Sequence, residues 1–512
     1  MGHEVLAALT PYLLATGAFI TVLLKALRLP RALVQAVSLI FLSSSFFTTL
    51  LIHFETVENK VLIYTIGGFP PPIGITYVVD AFSSTLAVLV SAIFLAFFPL
   101  TRAFRTGVDE YFLALYLGLE SGLLGIVLTG DLFNMFVMME VMLVSAYGLV
   151  AMSRTKRAFV AVFKYIVVAG AGGLIFFAGV VLVYFATGTL NIGHLAAVFN
   201  GVETGYSGYS LNPSLAITSF FIILFWGLVI DEALVPLHFW LPGAYSSAHP
   251  VVSSLLAGAS EGVAYYALMR IFYTVSNGFP EAVSDALKTL GILTILLGGL
   301  GMVYSKRLGE IVSYSVILDS GYIAVALSLG PLGVSIAYFY IISHMIVKPL
   351  LFLLTGWARE KVGDDKLESL QGVFRSSRIL QTGLLTGAFA VIGIPPTILF
   401  TAKLQLYMGL LNAVVYNPVD ALALLTALVG SGLALASFIK VIATTMLTPR
   451  AEPVGEPGNV LKAYVLVLAG LTVILGLAYP LIQAGIVEPA SSVLISARDA
   501  YVESVLQALF KG

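Results

Sequence analysis

Apolar runs of 18 or more residues recur along this chain from one end to the other, and no other feature restricts its fold as much. A helix of that length crosses the ~30 Å hydrocarbon core of a bilayer while pairing its own backbone N–H and C=O groups. The runs lie near 5–27, 32–54, 77–100, 111–130, 132–152, 159–186, 214–241, 248–274, 286–304, 310–330, 333–356, 378–410, 420–446 and 460–486. They predict an all-α polytopic membrane protein of about fourteen transmembrane helices. Only 10% of the residues are charged, against about a quarter in an ordinary soluble domain, so a soluble fold is excluded. The first run is flanked by His3 and Glu4 and lacks a basic n-region and a small-residue cleavage site. It is read as a retained helix, and the mature chain as the whole chain.

Basic residues alternate between the connecting loops. Those after spans 1, 3, 5, 9, 11 and 13 hold Lys25, Arg28, Arg31, Arg102, Arg105, Arg154, Lys156, Arg157, Lys306, Arg307, Arg359, Lys361, Lys366, Arg375, Arg378, Arg450 and Lys462. The other side, termini included, holds Lys60, Lys288, Arg498 and Lys511. The positive-inside rule therefore predicts a multi-pass protein of the cell membrane with both termini external and an even number of crossings. The chain has no cysteine, so thiolate-held iron–sulfur clusters, disulfides and cysteine zinc sites are excluded. It shows no G-x-G-x-x-G or P-loop in a strand–turn–helix setting. No cofactor is expected in this chain; iron–sulfur or other redox centres belong on partner subunits, and no nucleic-acid partner is expected.

The longest polar stretches are 55–76, 187–213 and 357–377. The first is rich in Gly and Pro and reads as a packed cap; the last carries mixed charge and reads as a solvated connection or short surface helix, with a docking role as the lesser alternative. Prolines interrupt two apolar spans, at Val235-Pro236-Leu237-His238-Phe239-Trp240-Leu241-Pro242 and at Gly393-Ile394-Pro395-Pro396. Each removes a helical hydrogen bond and clashes with the preceding turn, so spans 7 and 12 are expected to be broken. Interrupted spans at matching places in two halves point to a transport site. The expected organisation is N-terminal helices 1–3 in 1–110, a first half-channel in 111–274, a second, inverted, in 286–446, and helix 14 with a tail in 447–512. In that scheme Lys164 corresponds to Lys348 and Asp231 to Lys403.

An ionisable group at the centre of a spanning helix costs roughly 2.5–3.5 kcal/mol on insertion scales, so each is a functional candidate. Glu140 lies in span 5, Lys164 in span 6, Asp231, Glu232 and His238 in span 7, Glu261 in span 8, Asp319 in span 10, His344 and Lys348 in span 11, and Lys403 in span 12. Asp231 and His238, seven apart, are expected to share a helix face, as are His344 and Lys348, four apart. Taken singly, Glu120, Asp131, Lys164 or His344 also fits a satisfied interhelical hydrogen bond. As a set, the ionisable groups read as a path for protons or cations. Arg270 and Lys440 are expected to snorkel to the interface, and Asp80 to cap span 3.

Three stretches together resemble the antiporter-like membrane subunits shared by respiratory complex I, multisubunit Mrp-type sodium/proton antiporters and archaeal membrane-bound hydrogenase or sulfane sulfur reductase complexes. They are Gly130-Asp131-Leu132-Phe133-Asn134-Met135-Phe136 leading to Glu140; Pro236 to Pro242 with Ala248-His249-Pro250-Val251-Val252-Ser253; and His344-Met345-Ile346-Val347-Lys348 with Gly393-Ile394-Pro395-Pro396 and Lys403. The resemblance runs from roughly 75 to 450. It implies two inverted five-helix half-channels, helices 4–8 and 9–13, with broken helices 7 and 12. By that implication Glu140 is the helix 5 glutamate, Lys348 a connecting lysine and Lys403 the gate toward the outlet. It also implies partners: neighbouring antiporter-like subunits, other membrane subunits and a peripheral redox arm.

The chain departs from the family pattern in its first half. Five residues before the helix 7 proline the family usually carries lysine, and here stands Asp231. The helix 8 lysine position falls on Gly262, beside Glu261, and the helix 10 position often filled by histidine holds Asp319. Glu140 and Asp231 would repel if both ionised, so they would titrate together. Three readings stay open: proton or coupled cation transfer within a respiratory complex, a sodium variant with oxygen ligands at Glu140, Asp231 and Glu261, and a chiefly structural subunit with a degenerate first half-channel. A stand-alone secondary transporter is a further alternative.

Overall fold

The computed structural model describes residues 2–57, 60–104, 108–201, 213–450 and 454–510. Arg105 and Lys511 lie outside them. The long helices α1 (Glu4–Ala26) and α2 (Arg31–Thr56) lead into an antiparallel hairpin of β1 (Leu62–Thr65) and β2 (Thr76–Val79), Leu62 opposite Val79. This hairpin occupies the stretch expected as a cap, and Gly67 and Gly68, both at positive φ, make its bend. Then come α3 (Ala81–Phe97), α4 (Glu110–Leu128), α5 (Leu132–Ala151), α6 (Lys156–Thr187) and the short α7 (Ile192–Phe199).

The apolar runs become helices where a polar side chain can take the first free N–H groups. Asp80, Asp109, Asp131, Thr155 and Asn191 each accept the backbone N–H three residues on, at the starts of α3 to α7. Asp131 thus caps its own helix rather than making the interhelical bond expected of it.

Span 7 is broken. Helix α8 (Pro213–Asp231) stops at Asp231, and the chain resumes in a short turn (His238–Trp240) and α9 (Leu241–Ser247). α10 (Pro250–Leu255) continues through a π-turn at Leu256–Ser260 into α11 (Glu261–Ser276). The second half comprises α12 (Glu281–Tyr304), α13 (Leu308–Leu327), α14 (Pro331–Val362), the interrupted pair α15 (Arg378–Ile392) and α16 (Ile398–Ala413), α17 (Val419–Ile442) and α18 (Asn459–Leu477). Twelve helices among the described residues are long and apolar enough to cross a membrane. With the two interrupted spans they make fourteen crossings. Five crossings per half return the chain to the opposite face, so the second half runs inverted. The last span ends at Leu477 rather than 486, because the chain bends there into α19 (Tyr479–Ile482), α20 (Glu488–Ile495) and α21 (Arg498–Phe510).

Helix α14 lies at the centre, with 94% of its most apolar stretch buried, against α10, α13, α15, α16 and α18. A helix apolar all round belongs in such a position.

Charged residues hold the two ends of the bundle. At the basic end Asp365, only 2% exposed, pairs with Arg157 of α6 at 3.0 Å and also with Arg307. Arg157 reaches Glu310 at 2.8 Å, and Ser246 of α9 accepts from it at 2.9 Å. Leu308 N–H donates to the Asp365 carbonyl and Leu367 N–H to that of Lys306. The stretch 357–377 is therefore docked, not solvated, and it ties the first half to the second.

At the opposite end Arg270 is buried, pairs with Asp80 at 2.6 Å and lies against the rings of Phe82, Tyr266 and Tyr501. The snorkelling expectation fails for it, because α11 turns this side chain inward toward the start of α3. Lys288, expected as an external loop cation, lies buried in α12 and pairs with Asp420 of α17. Lys440 donates to the carbonyls of Val303 and Ser305, closing the end of α12.

Removing Asp365 takes the shared buried partner from two arginines, which keep only the acids Glu310 and Asp364, both partly exposed. Asp365→Ala is expected to cost about 2–4 kcal/mol, read as a lower midpoint of unfolding in detergent, with Asp365→Asn retaining part of the loss.

Candidate functional site

The centre of the site is Asp319, fully buried on α13. Its Oδ2 lies 2.7 Å from Lys348 Nζ and 3.3 Å from His344 Nδ1, both on α14. Tyr340 OH donates to its Oδ1 at 2.8 Å. Lys348 also donates to the carbonyl and the hydroxyl of Ser315, at 2.9 and 2.8 Å. The four-residue spacing of His344 and Lys348 does place them on one face, and Asp319 stands between them as the shared counter-ion. A buried carboxylate with three donors keeps its charge solvated by the protein itself.

From Asp319 the row extends toward the first half through His344. Its Nε2 approaches Glu261 Oε2 to 3.0 Å without hydrogen-bond alignment, so both atoms keep free bonding capacity. The π-turn precedes Glu261 at once, and such turns recur at functional sites. Beyond it Glu232 is near enough to Glu261 and Asp231, and Asp231 to Glu140, for their charges to interact. Neither oxygen of Asp231 or Glu232 has a hydrogen-bond partner among the described residues. Buried polar atoms left unpaired are costly, which marks these carboxyls as groups that exchange partners or protons.

The broken backbone of span 7 is satisfied by the second half: Ser320 donates to the Glu232 carbonyl at 2.7 Å, and Val235 N–H to Thr294 Oγ1 at 3.0 Å. Because α8 ends at Asp231 and the chain resumes only in the turn at His238–Trp240, Asp231 and His238 do not share a helix face.

Glu140 is half-buried on α5, and its Oε1 fills space that only a glycine at 173 on α6 leaves open, 2.5 Å from where a Cβ would stand. No lysine or arginine pairs with it among the described residues. Lys164 lies about two and a half turns before that glycine on α6, toward the basic end. It is exposed in a cavity there and stands apart from the row.

Toward the other end the row reaches Lys403, buried just past the second break. Its Nζ donates to the Val391 carbonyl at 2.5 Å and to Ser431 Oγ at 3.2 Å, and lies over the Tyr322 ring. Ser431 also bonds Tyr407 and Tyr322, whose ring lies 5.9 Å from that of Tyr340. Tyrosines and serines thus fill the interval between Asp319 and Lys403, and sequence reasoning missed them because these residue types are common in any helix bundle. Asp231 closes the segment before its break and Lys403 follows its own, so the two do not occupy equivalent places.

Gly262, at the family's helix 8 lysine position, packs against α14: an added Cβ would meet Ile341 Cγ2 at 2.6 Å. Among the described residues no three His, Asp or Glu side chains converge to hold a metal ion.

Paired interrupted helices joined by a buried row of acids and bases define a class of polytopic membrane protein. A family model described as NADH:quinone oxidoreductase/Mrp antiporter, TM matches residues 129–429. An NADH-quinone oxidoreductase membrane subunit of Desulforudis audaxviator is 32% identical over 365 residues, 70% of this chain and 71% of that protein. A Na(+)/H(+) antiporter component of Alkalihalophilus pseudofirmus is 32% identical over 361 residues, 69% of this chain and 71% of that one. Among solved structures, a chain of an archaeal membrane-bound sulfane sulfur reductase superposes with a TM-score of 0.88 at 27% identity, covering 98% of this chain and 100% of that one. A chain of the Mrp complex of Dietzia sp. DQ12-45-1b gives 0.86 at 26%, covering 99% and 100%. The chain belongs to the NADH:quinone oxidoreductase/Mrp antiporter family of membrane subunits, as an antiporter-like member.

Since Gly262 has no room for a side chain, Gly262→Ala is expected to destabilise by about 1–3 kcal/mol. Ile341→Ala in the same chain should recover part of the loss, measured as the yield of monodisperse protein after heating.

Proposed function

We propose that this chain carries protons along its buried row, from Glu140 through Asp231, Glu232, Glu261, His344, Asp319 and Lys348 to Lys403, as one subunit of a multisubunit energy-converting complex of the cell membrane. The observation that carries this reading is the unbroken run of contacts from Glu261 through His344 and Asp319 to Lys348, fully inside the protein and drawn from three helices of both halves. Each member can hold or release a proton, and from Glu261 through His344 and Asp319 to Lys348 neighbours approach within 3.3 Å. His238, with an open Nδ1 beside the break of span 7, is assigned to the entry of the first half. The converging oxygens that a sodium site would need are not part of this reading.

Assembly is supported by Glu140, which lies at the middle of α5, half-buried, between Phe133 and Val144, 41% and 59% exposed. Its carboxyl packs toward Gly173 of α6, and the exposed apolar side chains on either side leave this face of α5 open to a neighbouring membrane subunit. The relatives named above support neighbours of the same kind. Redox chemistry, where present, is assigned to partner subunits. The excess of Lys and Arg on the end that holds Asp365 supports a cytoplasmic position for that end, with both termini external.

The test is Asp319→Asn in the intact complex, with Asp231→Asn and Lys403→Ala beside it, recording proton and sodium movement in inverted membrane vesicles. Asp319→Asn is expected to cut proton movement by about a hundredfold, with assembly unchanged. Normal transport in Asp319→Asn and Lys403→Ala would overturn the proposal in favour of a structural subunit. Normal transport in Asp231→Asn alone would confine conduction to the second half.

A further inference from the structure

A cavity of about 1510 Å³ opens at the basic end of the bundle, between α6, α9, the end of α12, the start of α13 and α17. Its walls hold far more positive than negative charge, and the positive groups differ in how they are engaged. Arg157 and Arg307 are neutralised by Asp364, Asp365 and Glu310, and Lys440 donates to two carbonyls. Lys156, Lys164, Lys306 and Lys366 line the same cavity, all exposed, and none of their ammonium groups has a hydrogen bond or ion pair among the described residues. Glu368 is the one further acid on the rim.

Four uncommitted ammonium groups around one opening repel one another unless an anion joins them. The row of ionisable groups described above does not use them; Lys164 in particular points into this cavity and away from Glu140.

The remaining wall is apolar. Val160, Phe239 and Tyr304 face the opening and stay 51%, 50% and 78% exposed, which fits surface turned toward acyl chains rather than toward water. Lys156 and Lys164 are eight residues apart on α6, about 12 Å along its axis. The cavity therefore runs from the level of the membrane surface into the hydrocarbon, with ammonium groups at its mouth and along its depth. A soluble anion would leave the apolar wall bare. A lipid with an anionic head group would cover both parts, and basic pockets between helices on the cytoplasmic side suit such head groups.

We infer that this cavity is a binding site for an anionic phospholipid, whose phosphate is held by Lys156, Lys306 and Lys366, with Lys164 reaching up from below and the acyl chain against Val160, Phe239 and Tyr304. This assignment is independent of the proton path. The lipid would fill the gap between the two halves on the side where Asp365 ties them, so it should also stiffen that junction.

The test uses the full-length chain in nanodiscs of phosphatidylcholine doped with phosphatidylglycerol, followed by gentle delipidation and native mass spectrometry of the lipid that stays bound. Wild type is expected to retain phosphatidylglycerol over phosphatidylcholine, with retention falling about fivefold for each lysine removed and vanishing in K156A/K164A/K306A/K366A. The matched set K156R/K164R/K306R/K366R should keep it, which separates lost charge from lost folding. R375A/R378A/K462A, charges of the same end outside the cavity, should behave as wild type. Equal retention by the four-alanine variant would overturn the inference. So would displacement of the lipid by millimolar inorganic phosphate, which would assign the lysines to a soluble anion, or retention of an acidic protein segment in place of lipid.

Discussion

A lysine, a histidine and a tyrosine all point at one carboxylate in the middle of the membrane, and the architecture around Asp319 follows from the cost of putting it there. An isolated charge at this depth would carry a penalty comparable with much of a domain's net stability. The penalty is offset only if its counter-ions arrive with good geometry, and this requires α13 and α14 to lie side by side at one register. α14 in turn supplies both cations from a single face and is therefore enclosed on every side. The interrupted helices serve the same end. A continuous span 7 would leave no free carbonyl for Ser320, and a continuous span 12 no Val391 carbonyl for Lys403. The breaks bring peptide dipoles to a depth that otherwise holds none, where nearby polar groups re-satisfy them.

The two halves solve this problem differently. In the second half each buried charge of the row has an opposite charge or hydrogen-bond acceptors beside it. In the first, carboxyls at Glu140, Asp231, Glu232 and Glu261 succeed one another, with hydroxyl groups nearby, Tyr147 OH among them unpaired. Acids without cations cannot all be ionised in a low-dielectric row. The first half thus gathers carboxyls where the second pairs its charges, and the row differs in composition from one end to the other.

Much of this is legible in the sequence, for physical reasons. Span positions follow from hydropathy alone, since the bilayer enforces helix length, and the two breaks follow from prolines that no helix accommodates. The candidate row is legible because charge in an apolar run is conspicuous. What cannot be read is pairing. Asp365 looks like one charge in a polar loop, and its partner Arg157 lies 208 residues away. Arg270 looks like a helix-end cation, yet its counter-ion Asp80 is 190 residues distant. The central role of Asp319 depends on which helices meet, and the sequence shows only that it sits mid-span. Lys164 shows the converse error, since a cation within an apolar run can still face outward.

The Asp365 junction bears on how charge moves at all. Arg157 comes from one half, Arg307 and Asp365 from the other, and their bonds cross the seam at the basic end, while Arg270 with Asp80 and Lys288 with Asp420 brace the far end. A carrier that works by rocking one half against the other would have to part the seam in every cycle, at several kcal/mol for the buried partner. The seam is thus held at the basic end by a buried partner, and a transport mode built on side-chain movement leaves that junction closed.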